Sequence, residues 1–170
     1  MCVICTAPSN HLPTSEQLEA MASANPDGMG YTVRTVSGEY YSVKSDYSSP
    51  LLEYISNHRD FFRECDVLLH FRLATHGCVC ADNSQPIALT DTEYFAHNGI
   101  AWDYVDGAHA CDSYNLADAW AESHDLTIFR GNATGVATLD NSGLHWLYGG
   151  LPLPSDKAIG VSNLFWLHNM

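Results

Sequence analysis

A cysteine follows directly on an initiator methionine in this sequence. Its side chain is small enough for Met1 to be trimmed, which leaves a thiol and a free α-amine on one residue. The α-amine has a reference pKa of about 7.7–8.0, so near neutral pH it can take the thiol proton. Nucleophile and base are then both supplied by Cys2. On position alone the ordinary reading prevails, a small buried residue in an opening strand.

Three other groups change that balance. His70-Phe71-Arg72-Leu73-Ala74-Thr75-His76-Gly77 places an Arg, a Thr and a His at the end of an apolar stretch, before a Gly. An Arg held there can grip a carboxylate with two parallel N–H groups. The alternative is a surface Arg beside a turn. Only seven Lys and Arg exist in the chain, which makes an Arg within an apolar strand less casual. His97-Asn98-Gly99 offers a side-chain N–H and an unobstructed backbone N–H, together an oxyanion hole. It also reads as a plain Asn-Gly turn. Asp112-Ser113 puts a carboxylate at a helix start, where it can meet an amine or act as an N-cap. Both roles hold if Ser113 does the capping.

Together these groups describe a site for an α-amino acid with a reactive side-chain amide. Arg72 takes the α-carboxylate, Asp112 the α-amine, Cys2 attacks the amide carbon, and Asn98 and Gly99 hold the oxyanion. Glutamine, or something close to it, is the substrate that fits. No cofactor is needed for that chemistry.

Several elements must position these residues. Cys2 to Thr6 reads as a strand. Thr14 and Gln17 form a capping box, with Leu18, Met21 and Ala22 following at helical spacing. Asn25-Pro26-Asp27-Gly28 stops that helix. Gly30 to Val36 and Glu39 to Lys44 form a hairpin around Ser37-Gly38. Pro50 to Phe62 reads as a second helix and Cys65 to Ala74 as a buried strand. Tyr94 to Ala96 is a short strand leading into His97. Asp112 to Glu122 reads as a third helix. Thr134 to Leu139 and Leu144 to Tyr148 form a second hairpin, and Ala158 to Ser162 and Leu164 to Leu167 supply late strands. Strands first, helices between, then antiparallel strands make an α+β fold.

The bulk numbers fit one compact domain over residues 1–170. Hydrophobic residues make up 46% and charged residues 16%, a globular balance. A net charge of −13 repels phosphate backbones, so nucleic acid is not an expected partner. The start lacks the basic and apolar stretches of a signal peptide, and no segment has the length of a membrane span. A cytoplasmic location follows, where the six cysteines stay reduced.

Cys2, Asn25-Pro26-Asp27-Gly28-Met29-Gly30, the stretch from Arg72 to Gly77, Asn83-Ser84-Gln85-Pro86, Ala96-His97-Asn98-Gly99-Ile100 and Asp112-Ser113 occur in the order found in class II glutamine amidotransferase domains. The sequence resembles that family over roughly residues 2 to 116. Gly135 to Gly150 and Gly160 to Trp166 resemble the closing strands of small stand-alone members, including phage-encoded ones, for which the location would be the host cytoplasm. The resemblance implies the four-layer αββα sandwich of N-terminal-nucleophile hydrolases, built of mostly antiparallel sheets. It implies glutamine hydrolysis through a γ-glutamyl thioester, with ammonia passed to an acceptor or synthase outside this chain. It assigns Cys2 as nucleophile, Arg72, Thr75, His76, Gly77 and Asp112 to the glutamine pocket, and Asn98 and Gly99 to the oxyanion hole. The loop carrying Asn25, Asp27 and Gly28 supports the site near the Cys2 amine. Val3 stands where the family commonly has Gly, and Gln85 where it has His.

Two other classes compete. Cys2-Val3-Ile4-Cys5 with Cys78-Val79-Cys80 and nine His suggests a metal or redox protein. However, residues three apart on a strand point to opposite faces, and only Met1 precedes the pair. A fold-retaining binder with no activity is the other, but it has no need of a processed Cys or an oxyanion Asn.

Overall fold

The computed structural model describes residues 1–75 and 78–170. Among them, ten strands form two wholly antiparallel sheets. The strands are β1 (Val3–Ala7), β2 (Met29–Arg34), β3 (Tyr40–Ser45), β4 (Asp66–Phe71), β5 (Ile87–Thr90), β6 (Glu93–Asn98), β7 (Gly135–Asp140), β8 (Gly143–Tyr148), β9 (Leu151–Leu153) and β10 (Asp156–Val161). One sheet runs β3-β2-β4-β1-β10-β9 and the other β5-β6-β7-β8. The helices are α1 (Ser15–Ala24), α2 (Ser49–Asn57), α3 (Arg59–Glu64) and α4 (Asp112–Ser123). This is the mixed, antiparallel α+β architecture that the order of elements predicts.

Side chains alternate along the strands and divide the core. Val3, Cys5 and Ala7 of β1 join Val67, Leu69 and Phe71 of β4 in a cluster with Met21 of α1, Ile55 of α2 and Phe62 of α3. The intervening Ile4 and Leu68 face the other way, against Ala96, Ala137 and Leu139 of the second sheet. Phe95 and Val136 of that sheet pack with Leu116, Ala117 and Trp120 of α4. A Trp146 to Thr6 hydrogen bond of 2.9 Å and a Tyr40–Tyr94 ring stack tie the two sheets directly.

The capping box at Thr14 is present: Thr14 Oγ1 accepts from the Gln17 amide at 3.2 Å, and the Thr14 amide donates to Gln17 Oε1 at 2.9 Å. The single helix expected over Pro50 to Phe62 is instead two, α2 and α3. His58 leaves the helical region at φ −125°, its ring bonds the Tyr54 carbonyl at 2.9 Å, and it stacks on the Tyr54 ring. Leu164 to Leu167 is not a strand. Phe165–Asn169 forms a 3-10 turn, because Asn163 accepts from the Phe165 amide and its carbonyl takes the buried Trp166 indole N–H at 2.8 Å. Strand β4 stops at Phe71, three residues before the expected end at Ala74, since its partner β2 begins at Met29. Strands β5 and β9 are short segments that periodicity does not single out.

Candidate active site

Strand β1 is central, held by β4 on one side and β10 on the other, so Cys2 emerges at the end of a fixed strand. Cys2 Sγ accepts from the Leu73 amide at 3.4 Å and lies 3.5 Å from the Leu73 carbonyl. The thiol opens on a cavity of about 390 Å³ whose walls include Cys2, Leu73, Thr75, Gly99, Ile100 and Trp102. Met1 also lines that cavity, beside Cys2. Burial pushes the Cys2 thiol pKa up, and the Leu73 backbone, the chain-terminal ammonium and Arg72 offset that only in part. A thiol raised in this way stays protonated near neutrality and needs a base before it can attack.

The segment following β4 is held by the loop after α1. The Arg72 amide donates to Gly28, the Asp27 amide donates to the Arg72 carbonyl, and the Ala74 amide donates to the Asp27 carboxylate at 2.9 Å. Asn25 turns its own side chain back onto the Met21 carbonyl and closes α1. The loop of Asn25, Asp27 and Gly28 therefore reaches the site through Arg72 to Ala74. Gly28 sits at φ +132°, and a Cβ there would stand 2.5 Å from Ser84 Oγ.

Arg72 is buried and donates through Nη1 to the Cys78 carbonyl at 2.8 Å. Asp112 is buried in the first turn of α4, and its Oδ2 accepts from the Ala101 amide at 2.7 Å. Neither is on the described lining of the Cys2 cavity. Cys2, Thr75 and Gly99 are the sequence-predicted residues that meet on one cavity. His76 and Gly77 lie outside the described residues. Ser113 does not cap α4: the cap position is Cys111, which makes no side-chain cap, and Ser113 Oγ pairs with His97.

Asn98 ends β6. Its carbonyl accepts from the amide and hydroxyl of Thr134, which fixes the turn into Gly99. Gly99 has φ +138°, and a Cβ would lie 2.9 Å from Ala133 Cα, so only glycine fits. His97 is not an available base. Its Nε2 donates to the Asn132 carbonyl and its Nδ1 accepts from Ser113 Oγ, both at 2.8 Å. Burial also lowers its pKa. Gln85, where a His was expected, accepts from the His97 amide through Oε1 at 2.7 Å and supports this strand end from the side. Val3 is buried in the helix-side core, facing away from Ile4.

Ser162 and Asn163, to which the sequence assigns no role, also meet these residues. Ser162 Oγ meets the Ile4 amide at 3.0 Å and the Asn98 side-chain amide at 3.0 Å. Asn163 donates to the Cys2 carbonyl at 2.9 Å. The polar pair at the end of the Ala158 to Ser162 strand was their only signal. Cys5, the other half of the alternative metal pair, is wholly buried in the helix-side core, and its pKa is driven far up by burial. Among the described residues, no three His, Cys, Asp or Glu gather as a metal site.

No protein-family model matches the sequence, and no curated protein matches it. Among solved structures, the glutamine phosphoribosylpyrophosphate (PRPP) amidotransferase from B. subtilis, complexed with ADP and GMP, is similar in fold. The TM-score is 0.55 at 14% identity, over 95% of this chain. The match covers 42% of that enzyme's chain, so this protein spans under half its length. At this identity the likeness is one of fold. Among the described residues, no helix is long and apolar enough to cross a membrane.

Proposed function

We propose that this chain is a single-domain glutaminase of the class II glutamine amidotransferase type, with the four-layer αββα arrangement of N-terminal-nucleophile hydrolases. The observation that carries the reading is the shared cavity of Cys2, Thr75 and Gly99, with Asn98 beside it at the end of β6. With Met1 removed, the Cys2 α-amine accepts the thiol proton and Sγ attacks the side-chain carbonyl carbon of glutamine. The oxyanion is held by the Asn98 side-chain N–H and the Gly99 amide. Collapse passes the proton to the leaving nitrogen and releases ammonia, leaving a γ-glutamyl thioester. Water, deprotonated by the same amine, attacks the thioester, releases glutamate and restores the thiol. The committed hydrogen bonds of His97 favour the α-amine over that ring as the base.

Arg72 and Asp112 hold the α-carboxylate and α-ammonium of the substrate, with Thr75, His76 and Gly77 around them. The Cys78 carbonyl and the Ala101 amide are among the partners these two side chains would share with the ligand. The ammonia goes to an acceptor or synthase outside this chain, in the cytoplasm. Mass spectrometry of the purified protein, with and without a diazo-ketone glutamine analogue, tests the reading. The expected result is loss of Met1 and one label on Cys2, with glutamate release that Cys2→Ala abolishes. Labelling elsewhere, or Cys2→Ala that still turns over, rejects it.

A further inference from the structure

Ser162 closes the end of β10 at a point where three polar groups converge. Its Oγ lies 3.0 Å from the Ile4 amide nitrogen, 3.0 Å from Asn98 Nδ2 and 3.4 Å from Asn163 Nδ2. A hydroxyl has two acceptor lone pairs and one proton to give. In that arrangement three donors crowd one oxygen. At the same time, Asn98 Oδ1 is buried without a hydrogen-bond partner. A side-chain amide can be turned end for end without moving its outline, and its partners decide which end is which. Turning Asn98 relieves the crowding and pairs Oδ1, and it leaves Nδ2 as the buried group without a protein partner, a donor free for a ligand. The Ile4 amide still donates to Ser162 Oγ, the Ser162 proton goes to Asn98 Oδ1, and Asn98 Nδ2 is released from the hydroxyl.

We infer that Ser162 is a positioning residue for Asn98, donating its hydroxyl proton to Asn98 Oδ1 so that the amide N–H group is kept for the oxyanion. The inference rests on the proposed glutaminase reading, in which Asn98 is that donor. It explains why an oxygen that accepts from the nucleophile's own strand should also touch Asn98. Ile4 is two residues from Cys2, so one hydroxyl registers the nucleophile strand and the oxyanion donor against each other. Gly135 makes room for this arrangement, since a Cβ there would stand 2.8 Å from Ser162 Cβ.

Glutamate release and thermal unfolding are measured for the wild type, Ser162→Ala, Asn98→Ala and the double variant. Ser162→Ala should lower kcat by roughly tenfold or more, short of the ~10²–10³ expected for losing the donor itself. The KM for glutamine should stay near the wild-type value. Because Ser162 acts through Asn98, the double variant should be no slower than Asn98→Ala alone. Ser162→Thr and Ser162→Val, matched in shape, repeat the test should Ser162→Ala fail to fold: Thr should keep kcat and Val lose it. An unchanged kcat in Ser162→Ala, or equal rates for Thr and Val, overturns the inference. So does a double variant slowed by the full product of the two single effects, which would leave Ser162 a prop for β1 only. A wild-type protein with no Cys2-dependent turnover overturns the glutaminase reading instead, before any variant is compared, and the inference falls with it.

Discussion

Asn163 Nδ2 donates to the backbone carbonyl of Cys2 across 2.9 Å. The same residue is itself fixed, since its carbonyl takes the Trp166 indole and Trp166 is fully buried. Cys2 is thus pinned on its carbonyl side by a turn that packs into the helix-side core. What remains adjustable at Cys2 is the thiol and the amine side, where Met1 now stands in the cavity. The chemistry proposed for this residue uses those two groups.

That arrangement makes the state of the N-terminus decisive. Retained Met1 or an uncleaved N-terminal tag converts the Cys2 amine to an amide and fills the space before the thiol. Such protein should be folded by circular dichroism yet release no glutamate, while protein of the same batch trimmed to Cys2 is active. If blocked protein, confirmed by mass, turned over at the full rate, the chemistry would belong to a Cys–His pair. His76 would then be the first residue to replace, because His97 has both ring nitrogens engaged.

Arg72→Lys and Asp112→Asn should each raise the KM for glutamine strongly, with kcat less affected. Lys cannot give two parallel N–H groups to a carboxylate, and Asn removes the charge that meets the α-ammonium. Asn keeps an oxygen that can still accept from the Ala101 amide, so the α4 start should survive. Steady-state kinetics decides, and an unchanged KM in both variants removes the pocket assignment even where Cys2 is reactive.

Replacing Asn98 should act on kcat rather than on binding. A lost oxyanion donor costs roughly 10²–10³ in kcat. Asn98→Asp should be worse than Asn98→Ala, since it sets a negative charge beside the developing one. Equal losses in kcat and in glutamine affinity, read from single-turnover and binding measurements, would mark Asn98 as a ground-state contact.

Stability should fall in acid through His70. This ring is wholly buried between the sheets, and neither nitrogen makes a hydrogen bond of good geometry. Burial, with help from the nearby His97 and Arg72, lowers its pKa from 6.5 to about 3. Between those values the unfolded chain binds a proton that the folded protein refuses. Stability is therefore full above about pH 6.5 and declines as pH falls toward 3. Burial lowers the His97 pKa as well and acts in the same direction. His70→Leu removes the two unpaired nitrogens at similar volume. Urea unfolding should show it losing less stability than the wild type between about pH 7 and pH 5. Identical pH slopes would count against this account.

Part of the candidate site and the outline of the α+β frame were legible in the sequence. Cys2, Thr75 and Gly99 could be read because unusual residue types stood at strand ends, and they meet on one cavity. Asp112 lies in the first turn of its helix, as its place in the sequence suggests, but neither it nor Ser113 is the cap, and the Ser113 partner, His97, lies 16 residues away. At the helix break the His58 ring adds a second bond to the Tyr54 carbonyl beside that of its own amide, a feature periodicity does not register. Ser162 and Asn163 were invisible as site residues for the same reason. Their partners, Ile4, Asn98 and Cys2, are distant in the chain, and a polar pair at a strand end is all that marks them locally.

The central place of β1 has a consequence for how the molecule is made. Its Ile4 amide is closed by Ser162, which lies 158 positions further along. At ribosomal speeds of about 5–20 residues per second, that separation is roughly ten to thirty seconds of synthesis. During this interval the first strand lacks its β10 neighbour and its end remains open beside the growing chain. An aminopeptidase acting on nascent chains has that whole interval to reach Met1. Once β10 docks, the Asn163 clamp closes on Cys2 and the opportunity narrows. The long-range pairing that makes the fold slow to complete thus also sets the period in which the proposed nucleophile can be uncovered.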